Sequence, residues 1–462
     1  MHKVRFNNRI VEVPEGTILS DILIKSGEEL PHLCGGKGAC KKCLVLVNGK
    51  EELSCQYKIK SDIDVVLPEN DDIFSDTGSS ESGEITENCC LCLDIGTTTL
   101  ALALVSLDEK KIIKVKTATN PQRAFGGDVL TRIEYCNKNG VSELQACLIN
   151  KINIMIDEFG VNRINTMYVS GNTTMLHIFF GVDPSSIGVA PYTPVFLESK
   201  EINGDETGLM NIEKVVSLPC ISAFVGADLV AGINYAETPK NNKYNLLVDL
   251  GTNAEIILYN RNKVFCTSAA AGPCFEGANI SCGMSATDGA IYSYSLDGTF
   301  KTIGNISPKG ICGTGLIDII SVLVEKGVID ETGYMDCEEF FITDIIKINQ
   351  KDIRQYQLAK SAVYSGIAAI LKEKSISFND IENLFISGGF SAKINIDNAI
   401  KTGLLPKELK EKIVVLNNSS LLGTVKYACD QNNLSVYLNN AEYIDLSTNS
   451  LFSDLFIDNM EF

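Results

Sequence analysis

The 462-residue chain reads as an α/β protein in three parts: a small N-terminal domain, an acidic tether, and a large two-lobed domain made by duplication. Three observations predict this. A cysteine- and glycine-rich loop sits among short β-type runs in residues 1–67; residues 68–88 are acidic and almost devoid of apolar side chains; and LCLDIGTTTLALALV at 91–105 is echoed by LLVDLGTNAEIIL at 246–258. A chain of this length has room for roughly three folding units.

Within 1–67, the runs Val4–Phe6 and Ile10–Val13, joined by Asn7-Asn8, predict a hairpin. A helix follows, with Thr17 placed as its N-cap, Ser26 near its end and Gly27 as its stop. LVLV, Asn48-Gly49 and Glu52–Cys55 predict a second hairpin, since Asn-Gly suits a tight type I′ turn, and DVVLP closes the unit. Between these elements Cys34, Cys40 and Cys43 form C-x5-C-x2-C in LCGGKGACKKC, and Cys55 comes after eleven more residues. Three thiolates on one Gly-rich loop and a fourth from a neighbouring hairpin can close around two irons, while Gly35, Gly36 and Gly38 let backbone amides turn toward the sulfides. Zinc is the rival ligand, although the spacing is a poor match to paired C-x2-4-C sites. The other cysteines, among them Cys89, Cys90, Cys92, Cys266, Cys274, Cys282 and Cys312, read as small buried hydrophobes, with a second cluster left open.

Residues 68–88 have the Ser-, Gly- and acid-rich composition of a flexible linker. Beyond it, buried strands alternate with helical stretches such as Gln357–Lys374. The echoed segments assign a first lobe to 89–240 and a second to 241–462, with the C-terminal segment returning to the core. In the first, Asp94 precedes Gly96, Thr97, Thr98 and Thr99; in the second, Asp249 precedes Gly251, Thr252 and Asn253. Strand, tight Gly-Thr turn and returning strand can wrap phosphate oxygens with backbone N–H groups, while the aspartates hold Mg²⁺ or its waters. Gly388-Gly389 follow the buried run LFIS and suit close approach of an adenosine. Gly313-Thr314-Gly315 open the helical run LIDIISVLVEKG, whose N-terminus favours an anion. For both, a plain packing turn is the alternative. No G-x4-GK[ST] sequence occurs, so the chain is not a P-loop enzyme.

The net charge of −18, from 40 basic and 58 acidic residues without a basic stripe, argues against nucleic acid as a partner. MHKVRFNNRI contains no apolar stretch of signal-peptide length and no run of 18 apolar residues follows, so a cytoplasmic, unanchored protein is expected. Sixteen cysteines in such a setting point to metal ligands and buried thiols, not disulfides. With only His2, His32 and His177 available, carboxylates, thiolates and backbone amides must carry most of the chemistry.

The cysteine arrangement resembles the [2Fe–2S] ferredoxin domain, a β-grasp fold, with one residue more than the common C-x4-C and a short last spacing. The doubled D-x-G-T resembles the ribonuclease-H-like lobes of the actin/sugar-kinase/Hsp70 ATPases. Over nearly the whole chain, LDIGTTT, YVSGNTTMLHIFFGVDP, APYTPVF, FVGADLVAGI, LLVDLGTNAEI, AAAGPCFEGANISCGM, ICGTGLID, QLAKSAVYSGI and FISGGFSAKI resemble the reductive activators of corrinoid enzymes. That resemblance implies a [2Fe–2S] cluster on Cys34, Cys40, Cys43 and Cys55, together with ATP and Mg²⁺, and reduction of a Co(II) corrinoid to Co(I) coupled to ATP hydrolysis. It implies a corrinoid-binding protein of a methyl-transfer system and a low-potential electron donor as partners; a homodimer is compatible with the sequence. Asp94 and Asp249 then organise Mg²⁺ and water. Asp228 serves as general base or as helix cap, and Asn172, Thr173 and Thr174 face phosphates, a partner surface or a structural turn. Two other functions fit parts of the chain: a redox-sensing regulatory ATPase or chaperone, and an ATP-dependent activator of another low-potential enzyme.

Overall fold

The computed structural model describes all residues except 8, 27, 29–35, 37, 39–42, 68–87, 237, 241 and 390, and the side chains of 435 and 436. Cys34, Cys40, Gly35, His32 and, apart from Asn88, the whole of the expected linker therefore lie outside the described residues.

The N-terminal domain is a five-stranded sheet ordered Arg9–Val13, His2–Phe6, Ile63–Val66, Leu44–Val47, Lys50–Leu53. His2–Phe6 pairs in parallel with Ile63–Val66 and antiparallel with Arg9–Val13, the mixed pattern of a β-grasp. Val4, Phe6, Leu19, Leu23, Val45, Val47, Ile59 and Ile63 form its core. The Asn48-Gly49 hairpin is as expected, both residues having positive φ (49° and 81°). Two details differ. The helix spans Leu19–Lys25 with Ile18 before it, and Thr17 instead turns its hydroxyl to the Pro14 carbonyl at 2.8 Å. Cys55 lies in the turn after Lys50–Leu53, not in the strand.

Beyond the linker, two six-stranded sheets share one plan. In the first, Lys111–Thr119, Thr99–Ser106 and Cys89–Ile95 form an antiparallel meander, and Ile164–Gly171 and Ile212–Ser217 add in parallel. In the second, Val264–Ala269, Ala254–Tyr259 and Tyr244–Leu250 form the meander, and Ile381–Ser387 and Ile413–Val415 the parallel pair. Each sheet also gains one short edge strand, Glu201–Asn203 and Ala441–Tyr443 respectively.

Because side chains alternate along a strand, each sheet needs cover on both faces. Ser142–Asp157 and Thr173–Phe179 cover Leu91, Leu93, Leu100 and Leu102 on the outer face of the first. Gly313–Glu325 and Gln350–Glu373 cover Leu246, Val248, Ile256 and Leu258 on the second. That last helix starts seven residues earlier than Gln357, where Asn349 accepts from the amides of Lys351 and Asp352. The inner faces exchange helices: Ser419–Asp430, which follows the fifth strand of the second sheet, packs on Cys90, Cys92, Ala101 and Ala103 of the first. Ala227–Tyr235, from the first lobe, packs on Leu247, Ile257 and Tyr259 of the second. Among the described residues no helix is long and apolar enough to cross a membrane.

Candidate functional site

The two tight turns predicted from the sequence lie where the inner faces meet. Asp94 and Asp249 each sit one residue before the end of the first strand of a meander, half-buried. Ser420 donates to Asp94 Oδ1 at 2.7 Å, and Ser387 donates to Asp249 Oδ2 at 2.8 Å. Gly96 N–H closes the first turn on Thr99 carbonyl at 3.0 Å; Gly251 N–H closes the second on Asn253 carbonyl at 2.9 Å. The second turn is one residue shorter, so the duplication is not in strict register. Asp94 faces Ala101 across its meander, whereas Asp249 faces Glu255.

Glu255 was not foreseen, and it changes the electrostatics. Like charges directly opposite on an antiparallel pair destabilise it. Burial pushes the carboxyl of Asp94 up to about 7, opposed by the Ser420 hydroxyl and reinforced by Asp249. Asp228 is pushed up to about 8 by burial, then by Asp249 and Asp94. Glu255 is raised well above the usual range by burial, Asp249 and Asp228, and Asp249 is raised by burial against the Ser387 bond. Four carboxyl groups thus share one poorly hydrated cleft, an arrangement suited to a divalent cation or to proton transfer. Among the described residues no three acidic, cysteine or histidine side chains close into a metal cage by themselves. A Mg²⁺ held by one or two carboxylates takes its remaining ligands from phosphates and water.

Asp228 lies in the first turn of Ala227–Tyr235, but Gly226 is the residue at the cap and no side chain caps the helix. The expected capping role is therefore absent; Asp228 Oδ1 accepts the neighbouring Leu229 N–H at 2.9 Å. Gly226 is held to glycine by contact, since a Cβ there would fall 2.5 Å from Asn172 Cα and 2.8 Å from Asp228 Oδ1. Asn172 caps Thr173–Phe179 and donates to Thr97 Oγ1 at 3.1 Å, so the SGNTT turn touches the first loop.

Thr252 Oγ1 donates to Glu276 Oε1 at 2.9 Å, tying the second loop to the short helix Pro273–Glu276. Gly388, at φ 115°, backs onto Leu250, where a Cβ would fall 2.2 Å from the carbonyl oxygen; Gly389 is open. That pair borders the Asp249 turn. Ser391–Lys393 forms a 3-10 turn after it, and the helix waits until Ile396–Lys401. Gly313, Thr314 and Gly315 do open a helix, yet all three are buried. A Cβ on Gly313 would meet Phe275 carbonyl at 2.2 Å and one on Gly315 would meet Ile291 carbonyl at 2.1 Å, so close packing accounts for these glycines. His177 is also committed to structure, with Nδ1 2.7 Å from Thr173 carbonyl and Nε2 accepting Val195 N–H.

In the N-terminal domain Cys43 and Cys55 are both buried and their thiols are in hydrogen-bonding contact. Burial first, then the Cys43 thiol, pushes Cys55 up to about 11, while Gln56 and the Gly38 amide favour its thiolate. Gly36 and Gly38 have φ of 79° and 71°, a region that favours glycine, and Gln56 Nε2 donates to Gly36 carbonyl at 2.6 Å. Among the described residues the buried Ser54 hydroxyl has no partner. Paired thiols, an amide aimed at sulfur and an unpaired donor beside them fit an iron–sulfur cluster. Cys89, Cys90, Cys92, Cys266, Cys274 and Cys312 are buried as expected for packing, whereas Cys282 is only half-buried.

A β-grasp domain with converging thiols, joined to a duplicated two-lobed fold with acidic turns facing a cleft, defines a ferredoxin domain fused to an actin/sugar-kinase/Hsp70-like domain. Residues 1–68 match the 2Fe-2S iron-sulfur cluster binding domain, 89–241 the RACo middle region, and 243–462 the C-terminal domain of RACo, the ASKHA domain. The chain belongs to the family of reductive activators of corrinoid proteins. It is 28% identical to the corrinoid activation enzyme RamQ of Eubacterium limosum, over 98% of this chain and 97% of that one. It is 25% identical to the [Co(II) methylated amine-specific corrinoid protein] reductase of Methanosarcina barkeri, over 79% and 76%. The solved structure of a reductive activator for corrinoid, iron-sulfur protein superposes with a TM-score of 0.72 at 28% identity, covering 100% of this chain and 98% of that one.

Proposed function

We propose that this chain is a cytoplasmic ATPase that drives the one-electron reduction of a protein-bound corrinoid from Co(II) to Co(I). The observation that carries this reading is the cleft in which Asp94, Asp249, Asp228 and Glu255 converge between two backbone turns, on a chain that also bears a cluster-binding domain. A [2Fe–2S] cluster on Cys34, Cys40, Cys43 and Cys55 supplies one-electron transfer. The electron comes from a low-potential donor protein, which is oxidised by one equivalent as cobalt is reduced by one.

The turns 96–99 and 251–253 hold the phosphates from opposite lobes, and Gly388-Gly389 admit the adenosine. Asp94 and Asp249 hold Mg²⁺ directly or through water. Asp228, with its carboxyl raised toward neutrality, accepts a proton from the attacking water. Gly313, Thr314 and Gly315 support the second lobe from within. Plant-type [2Fe–2S] centres sit near about −400 mV, and each ~59 mV uphill costs tenfold in equilibrium constant for one electron. ATP must therefore favour a closed form that binds the corrinoid protein more tightly in the state ready for reduction, since a ligand shifts an equilibrium only by its differential affinity.

Anaerobic spectroscopy tests this: reconstituted protein is mixed with a Co(II) corrinoid protein and a low-potential reductant, with and without MgATP. Co(I) is expected only with MgATP, and not with Cys43→Ala. ATP hydrolysis and a reducible cluster without Co(I) would transfer the reading to a redox sensor or another target enzyme.

A further inference from the structure

The first phosphate turn is held from behind by its carbonyl groups. Asn120 Nδ2 donates to the Gly96 carbonyl at 2.8 Å, Asn120 N–H donates to the Thr98 carbonyl at 2.9 Å, and Arg132 Nη2 donates to the Thr97 carbonyl between them. Both side chains are fully buried. In a trans peptide the C=O and the following N–H point to opposite sides. Drawing the Gly96 and Thr97 carbonyls into the lobe therefore turns the Thr97 and Thr98 amides outward, toward the cleft. Among the described residues neither amide meets a protein acceptor.

All three guanidinium nitrogens are engaged. Nε donates to Gly126 carbonyl at 3.0 Å, Nη1 to Gln122 Oε1 at 3.1 Å, and Nη1 also lies 3.0 Å from Met175 Sδ. Among the described residues no carboxylate forms an ion pair with it. Asp128 acts on it only at a distance and is opposed by the like charge of Arg123, so this buried cation is poorly compensated, and an anion brought to the turn in front of it relieves that cost. Among the described residues no side chain donates to the carbonyls of the second turn: Gly272 N–H donates to Thr252 carbonyl at 2.8 Å, and the side chain beside it is the acidic Glu276.

We propose that Arg132 and Asn120 are positioning residues that clamp the first turn by its carbonyls and so present the Thr97 and Thr98 amides to the phosphates of ATP. This rests on the ATP reading above. The clamp acts on phosphate and not on the nucleoside, which separates it from a role in folding alone.

Binding of MgATP, MgADP and adenosine is measured by calorimetry for the full chain and for Arg132→Met, with thermal unfolding as a control. Loss of a charge-assisted hydrogen bond predicts MgATP binding weaker by about 10- to 100-fold, MgADP less affected, and adenosine within about twofold of the unsubstituted chain. Methylguanidinium should restore MgATP binding to Arg132→Ala, where sodium at the same concentration does not. If Arg132→Met fails to fold, Asn120→Ala, which removes the donor to Gly96 and the acceptor for Gln122 N–H without adding a charge, should show the same ligand order. Equal weakening of all three ligands, or none, overturns the clamp. Failure of the unsubstituted chain to bind MgATP sinks the nucleotide reading instead.

Discussion

Replacing Asp228 by Asn should make the nucleotide-free protein more stable in alkaline solution while reducing its ATPase activity. The carboxyl is pushed from the ordinary 3.8 up to about 8, by burial and then by Asp249 and Asp94. A carboxyl raised in the native state binds more protons there than in the unfolded chain. The stability it contributes is present below the unfolded value and is lost as pH rises toward the folded one. Taken in full, the displacement corresponds to about 6 kcal/mol at 1.36 kcal/mol per pH unit. Asp228 is partly open to solvent and shares its shift with two neighbours, so a third to a half, about 2–3 kcal/mol, is the expected gain from Asn at pH 9. That corresponds to a melting transition higher by roughly 4–8 °C, shrinking to almost nothing near pH 5. Thermal unfolding from pH 5 to 9 reads this directly, and MgATP should abolish the difference by neutralising the cleft. An offset between variant and parent that does not change with pH would show that the four carboxyl groups do not titrate together, and the account of the cleft would fail.

Three further substitutions test other parts of the structure. Ser420→Ala removes the hydroxyl that favours ionised Asp94, so the acid limb of the ATPase pH profile should move upward by about half a unit to one unit; an unmoved profile would exclude Asp94 from it. Gly423→Ala places a Cβ 1.8 Å from the Ala231 carbonyl oxygen, and should cost at least about 2 kcal/mol in unfolding experiments and weaken nucleotide-linked activity. Cys55→Ala should abolish the visible absorbance of reconstituted protein and the transfer of electrons to corrinoid, while MgATP affinity stays within about twofold of the parent.

Local signals were the legible ones. Asn48-Gly49 specifies its own turn, and the paired D-x-G-T segments identify two meanders because buried β-branched and leucine runs flank a turn that needs glycine. Register was harder. Aligned on Asp94 and Asp249, the echoed segments make Glu255 the counterpart of Leu100, which pairs with Ile95, yet the shorter second turn pairs Glu255 with Asp249. Whether a hairpin closes over three or four residues depends on which amide meets which carbonyl, and the residue types alone do not decide that. Thr17 carries a good capping side chain, but the Pro14 carbonyl competes for it and wins. Gly313 and Gly315 look like an anion-binding helix start, and only the approach of Phe275 and Ile291 shows that packing demands them. Ser420 and Asp94 are separated by 326 residues, and nothing in either neighbourhood announces the contact.

The exchanged helices explain why nucleotide binding at this cleft should be felt across the molecule. Ala227–Tyr235 and Ser419–Asp430 lie against each other between the two sheets, close enough that Asn234 donates to the Gly423 carbonyl at 2.9 Å. Asp228 is in the first turn of one, and Ser420, the partner of Asp94, is in the first turn of the other. Both helices thus begin at the acidic cleft and pack together between the two sheets. Under the proposed reading, a triphosphate at those N-termini, with a cation between the carboxylates, would relieve the repulsion among them. Small sliding movements of packed helices are a common route for domain closure. Such a slide would move Ser420, which holds Asp94, and Asp228 relative to Asp249, which is held separately by Ser387 at the end of a strand. Under the proposed reading, that coupling through Ser420 and Asp228 converts the charge state of the cleft into the angle between lobes, and so into the surface offered to a corrinoid protein.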